Sequence, residues 1–167
     1  MDEANSAVVR SLFAAFDDGD LDRAVATVTE DFELVDVAAG QTFRGSAGLR
    51  QWLEIFRTAM PNTRTELINV FGAGDQVATE HIGRGKHTGP FVTPAGTIPA
   101  TGREIELRIA ELYEVRAGKI ARLYAYYDSA TMMRQLGLLP PRGSARERTM
   151  TAFMSMGVKV KRALKRA

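Results

Sequence analysis

Residues 103–115, REIELRIAELYEV, alternate without a break. Ile105, Leu107, Ile109, Tyr113 and Val115 fall on one side, and Glu104, Glu106, Arg108 and Glu114 on the other. A period of two over such a length predicts a β-strand with one dry face and one wet face. The turn Arg116-Ala117-Gly118-Lys119 leads into a second strand at 119–128. Upstream, two more alternating runs, near 63–71 and 75–87, flank the turn Gly72-Ala73-Gly74-Asp75. Four such strands make a mostly antiparallel sheet.

Before residue 61 the period is helical instead. Val8, Val9, Leu12, Phe13 and Phe16 space a helix over 5–16, and Asp20 can cap a second through Leu21, Ala24, Val25 and Val28. Phe32 to Val37 reads as a short strand. After Gly45-Ser46 a third helix aligns Leu49, Trp52, Leu53, Phe56 and Met60, and Pro61 ends it. Residues 88–102, with three Pro and three Gly, predict an irregular loop or lid, and a short helix follows the last strand. The fold class is therefore α+β. Three helices covering one face of a strongly curved sheet would form a cone-shaped barrel with a pocket at its open end.

Of 167 residues, 22 are Lys or Arg, 20 are Asp or Glu, and none is Cys. The absence of Cys excludes a disulfide framework, a zinc ribbon and a thiolate nucleophile. Residues 142–167 carry eight basic residues and one acid, Glu147, so the first 141 residues are acidic on balance. That balance gives the body no footprint for nucleic acid, which needs clustered positive charge. The Pro140-Pro141-Arg142-Gly143-Ser144 stretch divides a domain at 1–140 from a basic tail at 141–167. No apolar run reaches the length of a membrane span, and the start lacks the basic-then-apolar order of a secretory signal. A soluble, cytoplasmic protein is the expectation.

Glu111 is the one acid on the dry face of 103–115. A carboxyl group there pays desolvation, which raises its pKa and lets it donate a hydrogen bond; pairing with a nearby Arg is the plainer alternative. His81 and His87 share a parity with Val77 and Thr79, opposite Glu80, Arg84 and Lys86. Six residues apart on one strand they would not readily hold one ion, so no metal is expected. His81 suits a general base or a satisfied core histidine; His87, beside the loop, suits a structural hydrogen bond or a substrate contact. In 119–128, Ile120, Tyr124, Tyr126 and Asp128 share a face with Arg122. The other face (Ala121, Leu123, Ala125, Tyr127) is equally apolar, and a bulge would exchange the two. Asp128 and Asp36 each end a strand, where an Asp can serve chemistry or simply cap the next element.

Residues 5–140 resemble the SnoaL-like polyketide cyclases of the nuclear transport factor 2-like superfamily. The carrying segments are LFAAFDDGDLDRAVATVTEDFELVD, RGSAGLRQWLEIF, VATEHIGRGKHTG and GKIARLYAYYDSATMMRQLGLLP. The resemblance implies a cone-shaped fold and an intramolecular aldol ring closure with Asp128 as general acid/base, partnered by His81 or His87. The segment DVAAGQTFRGSAGLRQW also looks like ketosteroid isomerase around its base, which would fall on Asp36 with Glu111 as the buried protonated acid. That enzyme's oxyanion Tyr falls on Leu12, so the isomerase set is incomplete. Limonene epoxide hydrolase shares the final-strand Asp at Asp128, but its Arg-x-Asp is His81-Ile82-Gly83 here.

The expectation is a cofactor-free acid/base enzyme acting on a hydrophobic carbonyl compound, with Asp128, His81 and Glu111 catalytic. Asp36, Trp52, Phe56, His87, Tyr124 and Tyr126 would contact the substrate. The alternatives are a ketosteroid isomerase-like proton transfer, an epoxide hydrolase-type reaction, or a non-catalytic small-molecule-binding domain of the same fold. A homodimer is expected through Ala110, Leu112, Ala121 and Leu123 on the outer sheet face. In the tail, Met150, Phe153, Met154, Val158 and the run VKVKRALKRA form an amphipathic basic pattern. It suits the acidic body, an anionic membrane surface, an acidic partner, or a solvated frayed end.

Overall fold

The computed structural model describes residues 2–164, with side chains from residue 3 to residue 156. Helix α1 (Asp2–Asp18) stops at Gly19, whose φ of +77° suits a residue without a Cβ. The Asp20 side chain accepts the Arg23 amide proton at 2.9 Å and so caps α2 (Leu21–Val25). Strands β1 (Val28–Asp36) and β2 (Gln41–Arg44) form a hairpin that leads into α3 (Gly45–Ala59). Then come β3 (Arg64–Ala73), β4 (Gln76–Lys86), a small hairpin of β5 (Phe91–Thr93) and β6 (Gly96–Ile98), β7 (Glu104–Arg116) and β8 (Lys119–Tyr127). Helices α4 (Ser129–Gln135) and α5 (Ala145–Leu164) complete the described chain.

The main sheet has six strands in the order β2-β1-β8-β7-β4-β3, antiparallel throughout except for the parallel β1–β8 pair. The fold is α+β, as the change of period predicts. The dry face of β7 is also as predicted: Ile105, Leu107, Glu111, Tyr113 and Val115 are buried. Across β4, Val77, Thr79 and His81 are buried on the same side; α1 packs over β4, and α3 over β1. One apolar cluster joins Leu12, Phe32, Leu34, Leu49, Leu53 and Leu123. A second gathers Met60, Phe91, Ile105, Leu107, Met132 and Leu136. Residues of both clusters line the pocket.

Three expectations change. The β5–β6 hairpin stands where a loop was expected, and β2 fills a stretch left without a reading, because strands of four and three residues carry too little alternation to read. The second change lies in β8, where Glu114 pairs with Arg122 but Val115 pairs with Ile120, leaving Ala121 as the extra residue of a bulge. Beyond it Leu123 and Ala125 point inward, Tyr127 is half-buried, and Tyr126 is exposed. Tyr124 and Tyr126 therefore leave the pocket wall, and Tyr127 joins it. The third follows from the second. Ala121 and Leu123 are core residues, so the outer apolar face consists of Ala110, Leu112, Tyr124 and Tyr126, paired across β7 and β8.

The root of the β5–β6 hairpin is pinned to the end of α3. The amides of Thr88 and Gly89 both donate to the Ala59 carbonyl, at 3.0 and 3.1 Å. A Cβ at Gly89 would lie 2.0 Å from the Thr58 carbonyl oxygen, so only glycine permits this approach. The tail joins the body through Arg134–Glu147 (3.0 Å) and Arg142–Asp128 (2.8 Å). Past this root Phe153, Met154 and Met156 are exposed, while Met150 is half-buried. The side chain of Val158 and those of VKVKRALKRA lie outside the described residues. No helix among them is long and apolar enough to cross a membrane.

Candidate active site

Helical spacing on α1 and α3 turns Phe13, Phe16, Trp52 and Phe56 toward the dry faces of β4, β7 and β8. Together they enclose an inner chamber of about 100 Å³ whose walls are largely apolar. Glu111, His81 and Tyr113 bring polar atoms to it. They converge because i and i+2 share a face of β7, and because His81 sits opposite Ile109 in the β4–β7 ladder.

Glu111 is 4% exposed, and Tyr113 donates its phenol proton to Glu111 Oε2 in a short hydrogen bond. Burial pushes the Glu111 carboxyl up to about 7; the Tyr113 hydrogen bond opposes this and the negative charge of Asp36 adds to it. Burial likewise raises the Tyr113 phenol well above its ordinary range. His81 moves the other way, held down to about 4 by burial, so its imidazole is neutral at pH 7. His81 Nδ1 lies 3.9 Å from Glu111 Oε2 and has no hydrogen-bond partner among the described residues. At that distance, and with a neutral ring, the two are neighbours rather than an ion pair. Phe13 meets the His81 ring edge-on at 4.7 Å.

A second, outer chamber of about 320 Å³ lies between α3, α4, the β1–β2 turn and the β5–β6 hairpin. Trp52, Phe56 and Tyr127 line both chambers and form the partition. Asp36, at the end of β1 and 2% exposed, stands in the outer wall. Its Oδ1 accepts the Ala39 amide proton at 2.9 Å, which closes the β1–β2 turn. Its Oδ2 accepts from Trp52 Nε1 at 3.0 Å and from the Tyr127 hydroxyl at 3.2 Å. Burial and the Asp36 charge together raise the Tyr127 phenol. Asp36 is thus oriented by three donors and bonded to two of the partition residues.

Besides Tyr124 and Tyr126, two further expected site residues line neither chamber. Asp128 is the N-cap of α4: Oδ1 accepts from the Thr131 amide at 2.9 Å, while Oδ2 accepts from the Thr131 hydroxyl at 2.6 Å and from Arg142 at 2.8 Å. About half of its side chain is exposed, it lines neither chamber, and the Thr131 hydrogen bonds hold its carboxyl below the usual range. His87 is buried, but its Nδ1 is taken up by the Thr101 hydroxyl (3.0 Å) and amide (3.2 Å). It clamps the base of the hairpin loop and lines neither chamber. Tyr113 and Tyr127 are the functional candidates that sequence reasoning passed over. Tyr113 was signalled by its place two residues from Glu111; Tyr127 only by the apolar alternative face of β8. Among the described residues no group of three or more His, Cys, Asp or Glu is placed to hold a metal ion.

Asp128→Asn should be nearly silent in both melting temperature and turnover, since Asn caps a helix as well as Asp does. Asp128→Ala should cost about 1 kcal/mol of stability. Thermal melts of the two variants test this, and a large loss of activity in Asp128→Asn with an intact melt would return Asp128 to the catalytic set.

The neutral His81 and the raised Glu111 make opposite demands on stability. Glu111 binds its proton more tightly when folded, so its contribution is full below about 4.5 and is lost as pH rises toward about 7. His81 contributes fully above 6.5 and loses this as pH falls toward about 4. Between 4.5 and 6.5 the two slopes cancel. Relative to wild type, His81→Phe should therefore lose stability as pH rises through this window, and Glu111→Gln should lose it as pH falls. Parallel melting-temperature profiles for all three proteins would contradict this pairing.

The family model of the SnoaL-like polyketide cyclases matches residues 6–136. Solved structures with the same architecture include AclR of Streptomyces galilaeus, 19% identical with a TM-score of 0.72 over 84% of this chain and 100% of that one. A SnoaL-like protein of Jannaschia sp. CCS1 is 21% identical with a TM-score of 0.74, over 84% and 95%. The wild-type IdmH of Streptomyces antibioticus is 26% identical with a TM-score of 0.67, over 80% and 98%. No curated protein is significantly similar in sequence. The shared architecture is the ketosteroid isomerase-like fold. The matched segment runs from α1 to the end of α4 and contains every residue of both chambers, so the chain belongs to the SnoaL-like polyketide cyclase family.

Proposed function

We propose that the chain is a general acid–base enzyme that removes a proton α to a carbonyl of a hydrophobic compound and closes a ring through the resulting enolate. The observation that carries this reading is the Glu111 carboxyl, buried in an apolar chamber beside Tyr113 and His81, with the oriented Asp36 carboxylate across the partition. Asp36 is the base and takes the α-proton. Protonated Glu111 donates to the carbonyl oxygen as negative charge develops there, an interaction strengthened by the exclusion of water. The enolate carbon then forms a bond to a second carbonyl of the same molecule, and the new alkoxide recovers the proton from Asp36. No electrons leave or enter, so the sequence needs no cofactor. An isomerase-type transfer would use the same two groups, with the proton returned to another carbon.

The test is α-hydrogen exchange of 2-tetralone in deuterated buffer, followed by NMR with the full chain. Acceleration over buffer supports the reading; exchange at the buffer rate with protein present contradicts it. A homodimer is also proposed, through the outer face made of Ala110, Leu112, Tyr124 and Tyr126, of which Leu112 and Tyr126 are 46% and 42% exposed. Light scattering at micromolar concentration should give twice the chain mass, and Leu112→Glu should halve it; a monomeric wild type would refute it.

A further inference from the structure

Ser144 and Glu147 stand three residues apart, a spacing that starts a helix, and the structure uses both. Ser144 Oγ accepts the Glu147 amide proton at 3.1 Å, and Glu147 Oε2 accepts from the Gly143 amide at 2.6 Å. The other carboxylate oxygen accepts from Arg134 of α4 at 3.0 Å. Glu147 is the one acid in residues 142–167, so the root of α5 takes up all the acid of the tail while it fastens the helix to the body. Beyond that root the sequence holds Arg148, Lys159, Lys161, Arg162, Lys165 and Arg166, and no acid.

Every residue from Thr151 to Met156 is exposed, so this part of α5 stands clear of the body on all sides. Phe153 and Met154 are 72% and 65% exposed. Spacings of three and four place them on one face with Met150. Large apolar side chains gathered on one helix face mark a surface that meets something else. In the sequence Val158, Val160 and Leu164 then alternate with the basic residues.

We propose that α5 is a docking surface for an anionic lipid bilayer, with Met150, Phe153 and Met154 entering the interface and the basic residues of the tail meeting the headgroup phosphates. The proposal stands apart from the acid–base reading. Charge complementarity selects the occupant. A lipid surface of this kind offers an anionic layer and an apolar one together, which is what a basic helix with an apolar face requires. A nucleic acid would answer the charge and leave Phe153 and Met154 without a partner. The acidic body is the nearest opposite charge, yet Phe153 and Met154 stay open to solvent beside it. No described helix is long and apolar enough to cross a membrane, so α5 would lie along the surface.

Cosedimentation of the full chain with vesicles tests the surface, using phosphatidylcholine alone and phosphatidylcholine with about one-third phosphatidylglycerol. The chain should bind the anionic vesicles at least about tenfold more tightly, and raising the salt from about 0.1 M to about 0.5 M should remove most of that preference. The double change Phe153→Ser and Met154→Ser keeps every charge and removes the apolar face. It should weaken binding to the anionic vesicles at least about fivefold, with the melting temperature unchanged because both side chains are exposed. Equal binding to the two kinds of vesicle overturns the proposal, as does no binding to either, or binding that the double variant retains in full. A fall in the variant's melting temperature would place the face on the chain's own body. Loss of a wild-type dimer in the variant, read by light scattering without lipid, would give the face to a second copy. Binding of soluble polyglutamate as tight as that of the vesicles would give it to an acidic protein. Each of these three results also overturns the proposal.

Discussion

Asp36→Asn should lower turnover by about 10²–10⁴-fold, the usual worth of a positioned general base. Asparagine keeps the shape of the side chain but loses the carboxylate proposed to take the proton. It also presents an NH₂ to a site where the Ala39 amide, Trp52 Nε1 and the Tyr127 hydroxyl all donate. One donor then faces another, so a stability loss of about 1–3 kcal/mol should accompany the kinetic one. The kinetic effect must be read per folded molecule, at a temperature well below the variant's melt. A second signature separates chemistry from folding. Trp52→Phe removes one of the donors that orient Asp36 but leaves the carboxylate, so it should cost much less activity than Asp36→Asn. Equal losses would mean that Asp36 acts through packing alone.

Glu111→Ala should lower turnover by about 10²–10³-fold, the loss typical of one oxyanion donor in a water-excluded site. Glu111→Gln is the more informative partner, because the amide retains an N–H but cannot ionise. With protonated Glu111 as the proposed donor, wild-type turnover should fall as pH rises past about 7. Glu111→Gln should be slower, with that fall absent. A wild-type profile flat from pH 6 to 8, or a fall that persists in Glu111→Gln, would assign the titration to another group.

The parts of this site that were legible in sequence are those set by local period. The unbroken alternation of 103–115 places Glu111 and Tyr113 on the dry face, and the helical spacing of α3 turns Trp52 and Phe56 inward. What the period could not supply is any feature that depends on a single inserted residue or on distant partners. One bulge at Ala121 reverses the parity of β8 and exchanges Tyr124 and Tyr126 for Tyr127. Asp36 and Asp128 look alike as residues that end strands. What separates them is tertiary: Trp52 and Tyr127 reach the first, while Thr131 and Arg142 take the second. Arg142 lies beyond the segment matched by the family model, so the resemblance alone could not reveal that contact. Likewise β2 and the β5–β6 hairpin owe their pairing to turns and to anchors such as Gly89 on α3, not to alternation of their own.

The proposed ring closure turns on which carboxylate moves the proton. The most direct measurement is the rate of α-deuterium incorporation into 2-tetralone by Asp36→Asn and Asp128→Asn, side by side with wild type and each corrected for folded fraction. The structure's arrangement of hydrogen bonds predicts that Asp128→Asn keeps the wild-type rate within about twofold, while Asp36→Asn falls by about 10²-fold or more. The opposite ordering, with exchange lost in Asp128→Asn and retained in Asp36→Asn, would contradict it and move the chemistry to the cap of α4.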